Sequence, residues 1–279
     1  NKTLSFPLKA DKYTFFKLEI TELIDNKQKP QLAELSIDAS TELPYSDYTR
    51  TLDIDNAIHT VMYKENGITF KREYFMSYPD NVMVMRLTSD SKKGKLSRII
   101  SLESLHTDKT ITADGHTITM TGYPTPVSGD KRVGDAWKNG LIYAQQLVVK
   151  NKGGKISVVD GTKLKVEDAD EIIVLMSAAT NYVQCMDDSY NYFSQEDPLE
   201  KVQATLHKVA DKKYTALLAT HQKDYHSLYD RMRLNLGNLP EAPVAPTDSL
   251  LKGMDENTNS EQENQYLEML YFQFGRYLL

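Results

Sequence analysis

The stretch at residues 48–87 constrains the fold most, because strand-like runs follow one another there with only short turns between them. Residues 57–63 form one strand-like run, and over 68–76 apolar residues alternate with polar ones, which predicts two strands. Asn66 and Gly67 separate these runs, and both residue types tolerate the positive φ values of a tight turn. The stretch therefore predicts an antiparallel hairpin.

A third run in this stretch, residues 82–87, is apolar at every position except Arg86. Apolar side chains on both faces of a strand are typical of the centre of a sheet that is covered on both sides. We therefore predict that residues 82–87 form a central strand, and that the stretch as a whole lies in the core of a sandwich.

Further strand-like runs extend this pattern as far as residue 178, with Asp114-Gly115 and Gly153-Gly154 as turns between them. About ten strands with little helix among them predict a mainly β fold, an antiparallel sandwich. The additional runs lie at residues 96–102, 111–113, 116–121, 141–149, 156–159, 164–166 and 172–178.

Two alternating runs near the start of the chain, residues 13–24 and 32–37, are joined by a polar turn at 25–29 and predict another hairpin. We favour an edge hairpin of the main sandwich, and the alternative is a separate unit. In the second case the hairpin resembles the closing strands of a discoidin-like galactose-binding jelly roll.

The period of the apolar residues changes to three or four after Asp197 and Pro198, which are a good N-cap and a good first helical residue. A second helix follows, with Asp211 as its predicted cap.

Residues 238–248 contain three prolines and predict an extended linker. A last helix is predicted at 267–279, with apolar residues on more than one side, so we expect it to need several packing partners. Its main apolar face holds Leu267, Leu270, Tyr271, Phe274, Tyr277 and Leu278.

The composition argues against several classes of function. A net charge of −6 without any block of Lys or Arg argues against a nucleic-acid surface. No apolar run approaches the ~20 residues that a membrane-spanning helix needs. The single cysteine, Cys185, cannot form an intrachain disulfide and is expected to be a buried structural thiol.

The acidic residues do not form a convincing catalytic pair. Asp53 and Asp55 would face the same side of a strand, but carboxylates at a strand entry are usually solvated. The acidic turn at 167–171 is expected to be solvated as well. Asp187 and Asp188 could contribute to a cation site, yet calcium needs six or more converging oxygen ligands. We therefore predict no catalytic residue.

His221 and Asp224 are three residues apart on a predicted helix and could share one of its faces. The sequence has no HExxH or CxxC motif, so we predict no metal site. It also has no GxSxG, P-loop or GxGxxG motif, and we predict no cofactor.

Trp137, the only tryptophan, lies in a long loop that is predicted at residues 123–140. Long loops in compact domains are often functional, and a tryptophan side chain can stack on a sugar ring. Trp137 is therefore the candidate substrate-binding residue, although a packing role is the more common one for this residue type.

Several segments together resemble one known family. Residues 48–57 (YTRTLDIDNA) and 67–87 (GITFKREYFMSYPDNVMVMRL) resemble the N-terminal domain of glycoside hydrolase family 95, the α-L-fucosidases. Later segments resemble the closing strand of that domain, its linker helix with the strand after it, and the passage into the catalytic barrel. In chain order these segments are residues 172–182, 221–237, and 246–251 together with 267–279.

This resemblance implies an antiparallel β-super-sandwich, followed by linker helices and the first helix of an (α/α)6 barrel. In the family the barrel removes terminal α-linked L-fucose, or L-galactose in some members, with inversion. Inversion needs a general acid and a base-activated water. The family's glutamate acid, and the asparagines and aspartate that position the water, lie in the barrel beyond Leu279. The family's glycine-rich N-terminal segment is also absent before Tyr13, so we expect a fragment that is truncated at both ends.

We therefore predict a β-sandwich domain at 1–196, within which 1–38 is an edge hairpin or a separate unit. A helical linker with a proline-rich connector follows at 197–262, and the start of the truncated barrel at 263–279. The chain would be the non-catalytic part of an α-L-fucosidase-like hydrolase, periplasmic or secreted, whose oligosaccharide substrate binds in the barrel. Its oligomeric state is left open. The alternatives are a carbohydrate-binding module and the sandwich domain of another (α/α)6 enzyme, namely an α-L-galactosidase, a phosphorylase or a lyase.

Overall fold

The computed structural model of the chain describes residues 45–91, 96–124, 140–184, 192–237 and 245–279. The hairpin predicted at 13–37 lies outside these ranges, as does most of the loop predicted at 123–140. The strands are β1 (Ser46–Asp53), β2 (Ile58–Glu65), β3 (Ile68–Ser77), β4 (Val82–Ser89), β5 (Leu96–Ile100), β6 (Lys109–Asp114), β7 (Thr117–Gly122), β8 (Tyr143–Lys152), β9 (Lys155–Val159), β10 (Lys163–Ala169) and β11 (Glu171–Thr180). The helices are α1 (Pro198–Val209), α2 (Tyr214–Tyr229), α3 (Thr247–Asp255) and α4 (Glu261–Tyr277).

Within the described ranges, the strands form two antiparallel sheets. The large sheet has eight strands in the order β1-β2-β3-β4-β11-β8-β7-β6, and the small sheet has three in the order β5-β10-β9. β4 lies between β3 and β11, so the prediction of a central strand at 82–87 is confirmed. β11 pairs with both β4 and β8, which places the last strand of the sandwich near the middle of the large sheet.

The β2–β3 hairpin turns at Asn66 and Gly67, whose φ values are 51° and 75°. Its pairs run from Glu65 and Ile68 beside the turn to His59 and Tyr74, which confirms the hairpin predicted from the sequence.

The turn at Gly154 requires glycine for a second reason. A Cβ atom there would lie 2.1 Å from the carbonyl oxygen of Glu167, and the φ value is 66°.

Side chains cover both faces of the large sheet. One face packs against the small sheet, and the residues buried there define the sandwich core: Phe70, Leu87, Leu96, Ile118, Leu147, Val149, Leu164, Val166, Ala169, Ile172 and Val174. The other face packs against α1 and α2, and the residues buried there define the helix-facing core: Phe75, Val82, Val84, Ala144, Leu175, Val202, Leu206, Val209, Tyr214 and Leu217. β4 contributes to both cores, so its predicted two-sided burial is confirmed. The predicted mainly β antiparallel sandwich followed by helices is confirmed with it.

β1 is a strand that the hydrophobic pattern does not predict. All eight of its residues, Ser46–Asp53, are exposed. Among the described strands it lies at one edge of the large sheet and pairs with β2 alone. A strand that is held by main-chain hydrogen bonds and buries neither face leaves no alternation in the sequence.

The two helices on the sheet begin in different ways. At α1, the Asp197 carboxylate accepts a hydrogen bond of 2.8 Å from the backbone N–H of Leu199, and Pro198 is the first helical residue, as predicted. At α2 the cap position is held by Lys213 without a side-chain hydrogen bond, so the prediction that Asp211 caps this helix is wrong. The turn before α2 is instead fixed by the Lys150 ammonium group, which donates to the carbonyls of Ala210 and Lys212 at 2.6 and 3.0 Å.

The sequence pattern does not predict α3, and α4 begins at Glu261 and ends at Tyr277, whereas the predicted helix runs over 267–279. α4 begins with a capping box in which Ser260 and Glu263 bond to each other's backbone N–H. Its Leu267 packs with Leu250 of α3, but Tyr271 on the predicted apolar face is 80% exposed. Within the described chain, therefore, α3 covers only part of the apolar surface of α4.

A buried carboxylate joins the β3–β4 turn to the turn before α2. The side chain of Asp80 is only 4% exposed, and one of its oxygens lies 2.6 Å from the Lys212 ammonium nitrogen. The other oxygen accepts a hydrogen bond of 2.7 Å from the Ser77 hydroxyl. Because the Asp80 carboxylate is buried, loss of the Lys212 ammonium group would leave its negative charge without full compensation.

We expect Lys212→Met to lower the free energy of unfolding by about 2 kcal/mol, since among the described side chains Asp80 then keeps the Ser77 hydroxyl alone as a partner. The matched control is Lys213→Met, because the neighbouring lysine is exposed and its side chain makes no cap bond. Urea unfolding at neutral pH measures both variants. Equal stabilities for the two variants would show that the Asp80–Lys212 pair contributes nothing.

Candidate functional site

The α2 helix is fixed to the turn between β1 and β2 by His221. This side chain is 6% exposed, and its Nε2 atom lies 3.2 Å from the carbonyl oxygens of both Asn56 and Ala57. Because both partners are acceptors, Nε2 carries the proton and donates to them. The ring also stacks on Phe75 of β3, with centroids 4.9 Å apart and an interplanar angle of 25°. His221 therefore binds the turn and the sheet together.

The turn itself is organised by Asp53. Its carboxylate accepts hydrogen bonds of 3.1 Å from the backbone N–H groups of Asp55 and Asn56 and of 2.8 Å from the Asn56 side chain. The neighbouring Asp55 carboxylate lies 3.4 Å from the guanidinium group of Arg233, and both acids are exposed. These contacts give Asp53 a structural role in presenting the carbonyls that His221 binds.

A column of aromatic rings continues from His221 along α2. The Tyr225 ring stacks on His221 and on Tyr229, with centroids 6.2 and 4.9 Å away, and meets the edge of Tyr277 of α4 at 6.3 Å. The Tyr225 hydroxyl donates a hydrogen bond to the carbonyl of Ile54. Burial raises the pKa of Tyr225 above its usual range, so the hydroxyl stays a donor at neutral pH.

Arg276 joins the end of α4 to the end of α2. Its guanidinium carbon lies 4.8 Å from the centroid of the Tyr229 ring, and the group donates to the carbonyls of Tyr229, at 2.8 Å, and Met232. Both carbonyls are acceptors at or near the C-terminus of α2, where a cation is favourable. The β1–β2 turn thus forms one continuous junction with α2 and α4, which we call the sheet–helix junction.

A second contact between α2 and the sheet is electrostatic. The Arg86 guanidinium of β4 lies over the ring of Tyr214, 4.6 Å from its centroid, and is 3.4 Å from Glu73 and 3.2 Å from Glu171. One cation therefore bridges two carboxylates from the strands on either side of β4 and packs against the first residue of α2. Burial raises the pKa of Tyr214 to about 12.

The residues singled out from the sequence do not form one site. Trp137, Cys185, Asp187 and Asp188 lie outside the described residues. In the acidic turn, Glu167 is paired with Lys155 at 3.4 Å and with Lys165 at 2.8 Å, while Glu171 is held by Arg86. His221 bonds to the two carbonyls of the β1–β2 turn rather than to Asp224. In the described ranges, no three His, Cys, Asp or Glu residues are arranged so that they could hold a metal ion, and the cation site considered at Asp187 and Asp188 lies outside these ranges.

Sequence reasoning missed the roles of Tyr225, Arg276 and the carbonyls of the β1–β2 turn. A signal for all three groups existed, because the family-like segments 221–237, 267–279 and 48–57 contain Tyr225, Arg276 and that turn. No helix in the part of the chain that the structure describes has the length and apolar character needed to cross a membrane.

Two family models match the chain. "Glycosyl hydrolase family 65, N-terminal domain" matches residues 12–185, and "Glycosyl hydrolase family 95 catalytic domain" matches residues 213–279. Because the first match covers more than half of the 279 residues, the chain belongs to the glycoside hydrolases with this N-terminal domain. The second match identifies the family as family 95, which confirms the family predicted from the sequence.

Curated relatives agree with this assignment. "Probable alpha-fucosidase A" of Aspergillus niger is 29% identical over 252 residues, which cover 88% of this chain and 30% of the relative. "Alpha-L-fucosidase 2" of Arabidopsis thaliana is 31% identical over 249 residues, covering 84% of this chain and 29% of the relative. The chain thus spans about 30% of the length of these relatives.

A solved structure, "Putative kojibiose phosphorylase from human microbiome", matches with a TM-score of 0.44 and 11% identity over 66% of this chain and 25% of that chain.

We expect the raised pKa of Tyr214 to make the protein less stable in alkali. Between the ordinary tyrosine pKa of about 10 and the folded pKa of about 12, the unfolded chain loses the Tyr214 proton while the folded protein keeps it. The unfolded state then binds fewer protons, so the free energy of unfolding falls by up to about 1.4 kcal/mol per pH unit. This contribution is fully present below pH 10 and is lost as the pH rises towards 12.

The variant Tyr214→Phe should remove this contribution and flatten the decline in unfolding free energy above pH 10. At pH 7 the change should be small, because the buried hydroxyl makes no hydrogen bond to the described residues. Tyr271→Phe, at an 80% exposed position, is the matched control and should leave the decline unchanged. An alkaline decline that is identical in the wild type and Tyr214→Phe would contradict the role of this hydroxyl.

Proposed function

We propose that this chain is the N-terminal, non-catalytic part of an inverting α-L-fucosidase-like glycoside hydrolase. The two sheets with α1 and α2 form a platform, and the catalytic domain begins on that platform. In this proposal, the general acid and the water-activating groups of an inverting hydrolase belong to the part of the relatives' sequence that this chain does not span.

The position of α2 carries this proposal. The match to the family 95 catalytic domain begins at residue 213, which is the N-cap of α2. In the same helix, Leu217 is completely buried in the helix-facing core, and His221 binds the β1–β2 turn. The first helix of the catalytic segment therefore shares a hydrophobic core with the large sheet, as a platform role requires.

The substrate class rests on the curated relatives, whose names describe alpha-fucosidases. The proposed substrate is an oligosaccharide with a terminal α-linked L-fucose. The phosphorylase alternative is less favoured, because both of these curated relatives are named as alpha-fucosidases. The family resemblance also supports an extracytoplasmic location, which cell fractionation tests directly.

The test compares the 279-residue chain with the product of the complete gene, using 2′-fucosyllactose as substrate. We expect the complete product to release L-fucose, with the β anomer appearing first in proton NMR spectra because inversion of an α linkage produces it. The 279-residue chain alone should release none. The same assay is repeated with and without inorganic phosphate.

Two results would contradict the proposal. Release of L-fucose by the 279-residue chain would place the catalytic groups within it. Phosphate-dependent cleavage by the complete product, with formation of a sugar 1-phosphate, would favour the phosphorylase alternative.

A further inference from the structure

Two exposed tyrosines lie beside each other where the chain leaves β11. The rings of Tyr182 and Tyr192 are nearly parallel, with an interplanar angle of 9° and centroids 6.4 Å apart. The two residues are 53% and 47% exposed. Among the described residues, the other parallel ring pairs each contain at least one buried or half-buried member, such as Tyr229 in the pair with Tyr225. The Tyr182–Tyr192 pair is thus distinguished by the exposure of both rings.

The backbone around these tyrosines is fixed. Asn181 is 6% exposed; its side-chain oxygen accepts from the N–H of Ile142 at 2.9 Å, and its side-chain nitrogen donates to the carbonyl of Gly140 at 2.9 Å. Its carbonyl accepts from the N–H of Ser194, and the N–H of Val183 donates to the carbonyl of Tyr192. A buried amide therefore organises the segments that present both rings, so a ligand would meet a preformed surface.

Packing does not account for this pair. Burying the aromatic surface would be favourable, and the structure does so for Tyr214 and Tyr229, which are 7% and 2% exposed. Tyr182 and Tyr192 remain about half exposed although their backbone is held by the hydrogen bonds of Asn181. Exposed, rigid aromatic rings with a hydroxyl at one end are suited to a ligand that is apolar on one face and polar at its rim.

A cavity of about 330 Å³, with apolar and polar side chains in its lining, opens beside the same strand end. Thr180, two residues before Tyr182, lines it together with Glu103, His106 and Gln145. This volume is at the lower end of the range of about 300–1,000 Å³ for small-molecule sites. A carboxylate, an imidazole and an amide can together accept from and donate to several hydroxyl groups.

We propose that Tyr182 and Tyr192 form a non-catalytic binding surface for a pyranose ring of an oligosaccharide. The C–H face of the sugar packs on the tyrosine rings, and its hydroxyl groups point towards the neighbouring cavity. This inference rests on the proposed function, because the ligand class is taken from a family that hydrolyses glycosides. It adds a binding site at the end of β11.

The test is a titration of the 279-residue chain with 2′-fucosyllactose and with lactose, followed by NMR signals of the tyrosine rings. We expect saturable shifts with a Kd of about 1–10 mM for at least one of the two sugars. Tyr182→Ala and Tyr192→Ala should each raise that Kd about fivefold or more, while Tyr182→Phe should stay within about twofold, because the ring face and not the hydroxyl makes the contact.

The matched control is Tyr78→Ala, since Tyr78 is 86% exposed and is not a member of the pair. Thermal unfolding midpoints confirm that each variant folds. The proposal is overturned if neither sugar shifts the tyrosine signals, or if the alanine variants bind as tightly as the wild type. If the complete gene product releases L-fucose while the tyrosine surface binds no sugar, this inference fails and the proposed function stands.

Discussion

The large sheet is apolar on both faces, and the rest of the structure depends on covering them. β4 and β11 place residues such as Leu87 and Ile172 in the sandwich core, and Val84 and Leu175 in the helix-facing core. A strand with two apolar faces is stable in water only when another layer covers each of them. The small sheet provides one layer, and α1 with α2 provides the other.

This requirement explains why the linker helices are integral to the sandwich. Val202, Leu206 and Leu217 are at most 2% exposed because they lie on the sheet. Polar contacts then fix the angle and register of α2: His221 holds the β1–β2 turn, Arg86 packs on Tyr214, and Lys212 pairs with the buried Asp80. The helix is thereby presented in one position to α4, which Arg276 joins to its end.

The sequence predicts the parts of this arrangement that depend on periodicity and turn chemistry. The Asn66-Gly67 hairpin, the central position of β4 and the start of α1 at Asp197 follow from such local patterns. β1 could not be predicted because it buries neither face. The start of α2 was misassigned because the cap position is Lys213, whose side chain makes no cap bond, and the turn before it is held by Lys150 of a distant strand through the carbonyls of Ala210 and Lys212.

The sheet–helix junction is hard to predict for a similar reason. His221 reads as a possible partner of Asp224 on the same helix, whereas its partners lie 164 and 165 residues away in sequence. Contacts over such separations leave no spacing rule, and only the resemblance of segments 48–57 and 221–237 to one family suggested that they belong together. Trp137, the candidate substrate-binding residue, lies outside the described residues, so its role stays a prediction.

Native-state hydrogen exchange on the 279-residue chain tests most directly whether the helices and the sheet share one cooperative core. The structure predicts that amides in α1 and α2 have the same opening free energy as amides in β4 and β11, and that all four respond equally to added urea. Exchange in α1 and α2 through an opening that leaves β4 and β11 protected would contradict this account, because the helices would then be an appendage of the sandwich rather than one of its layers.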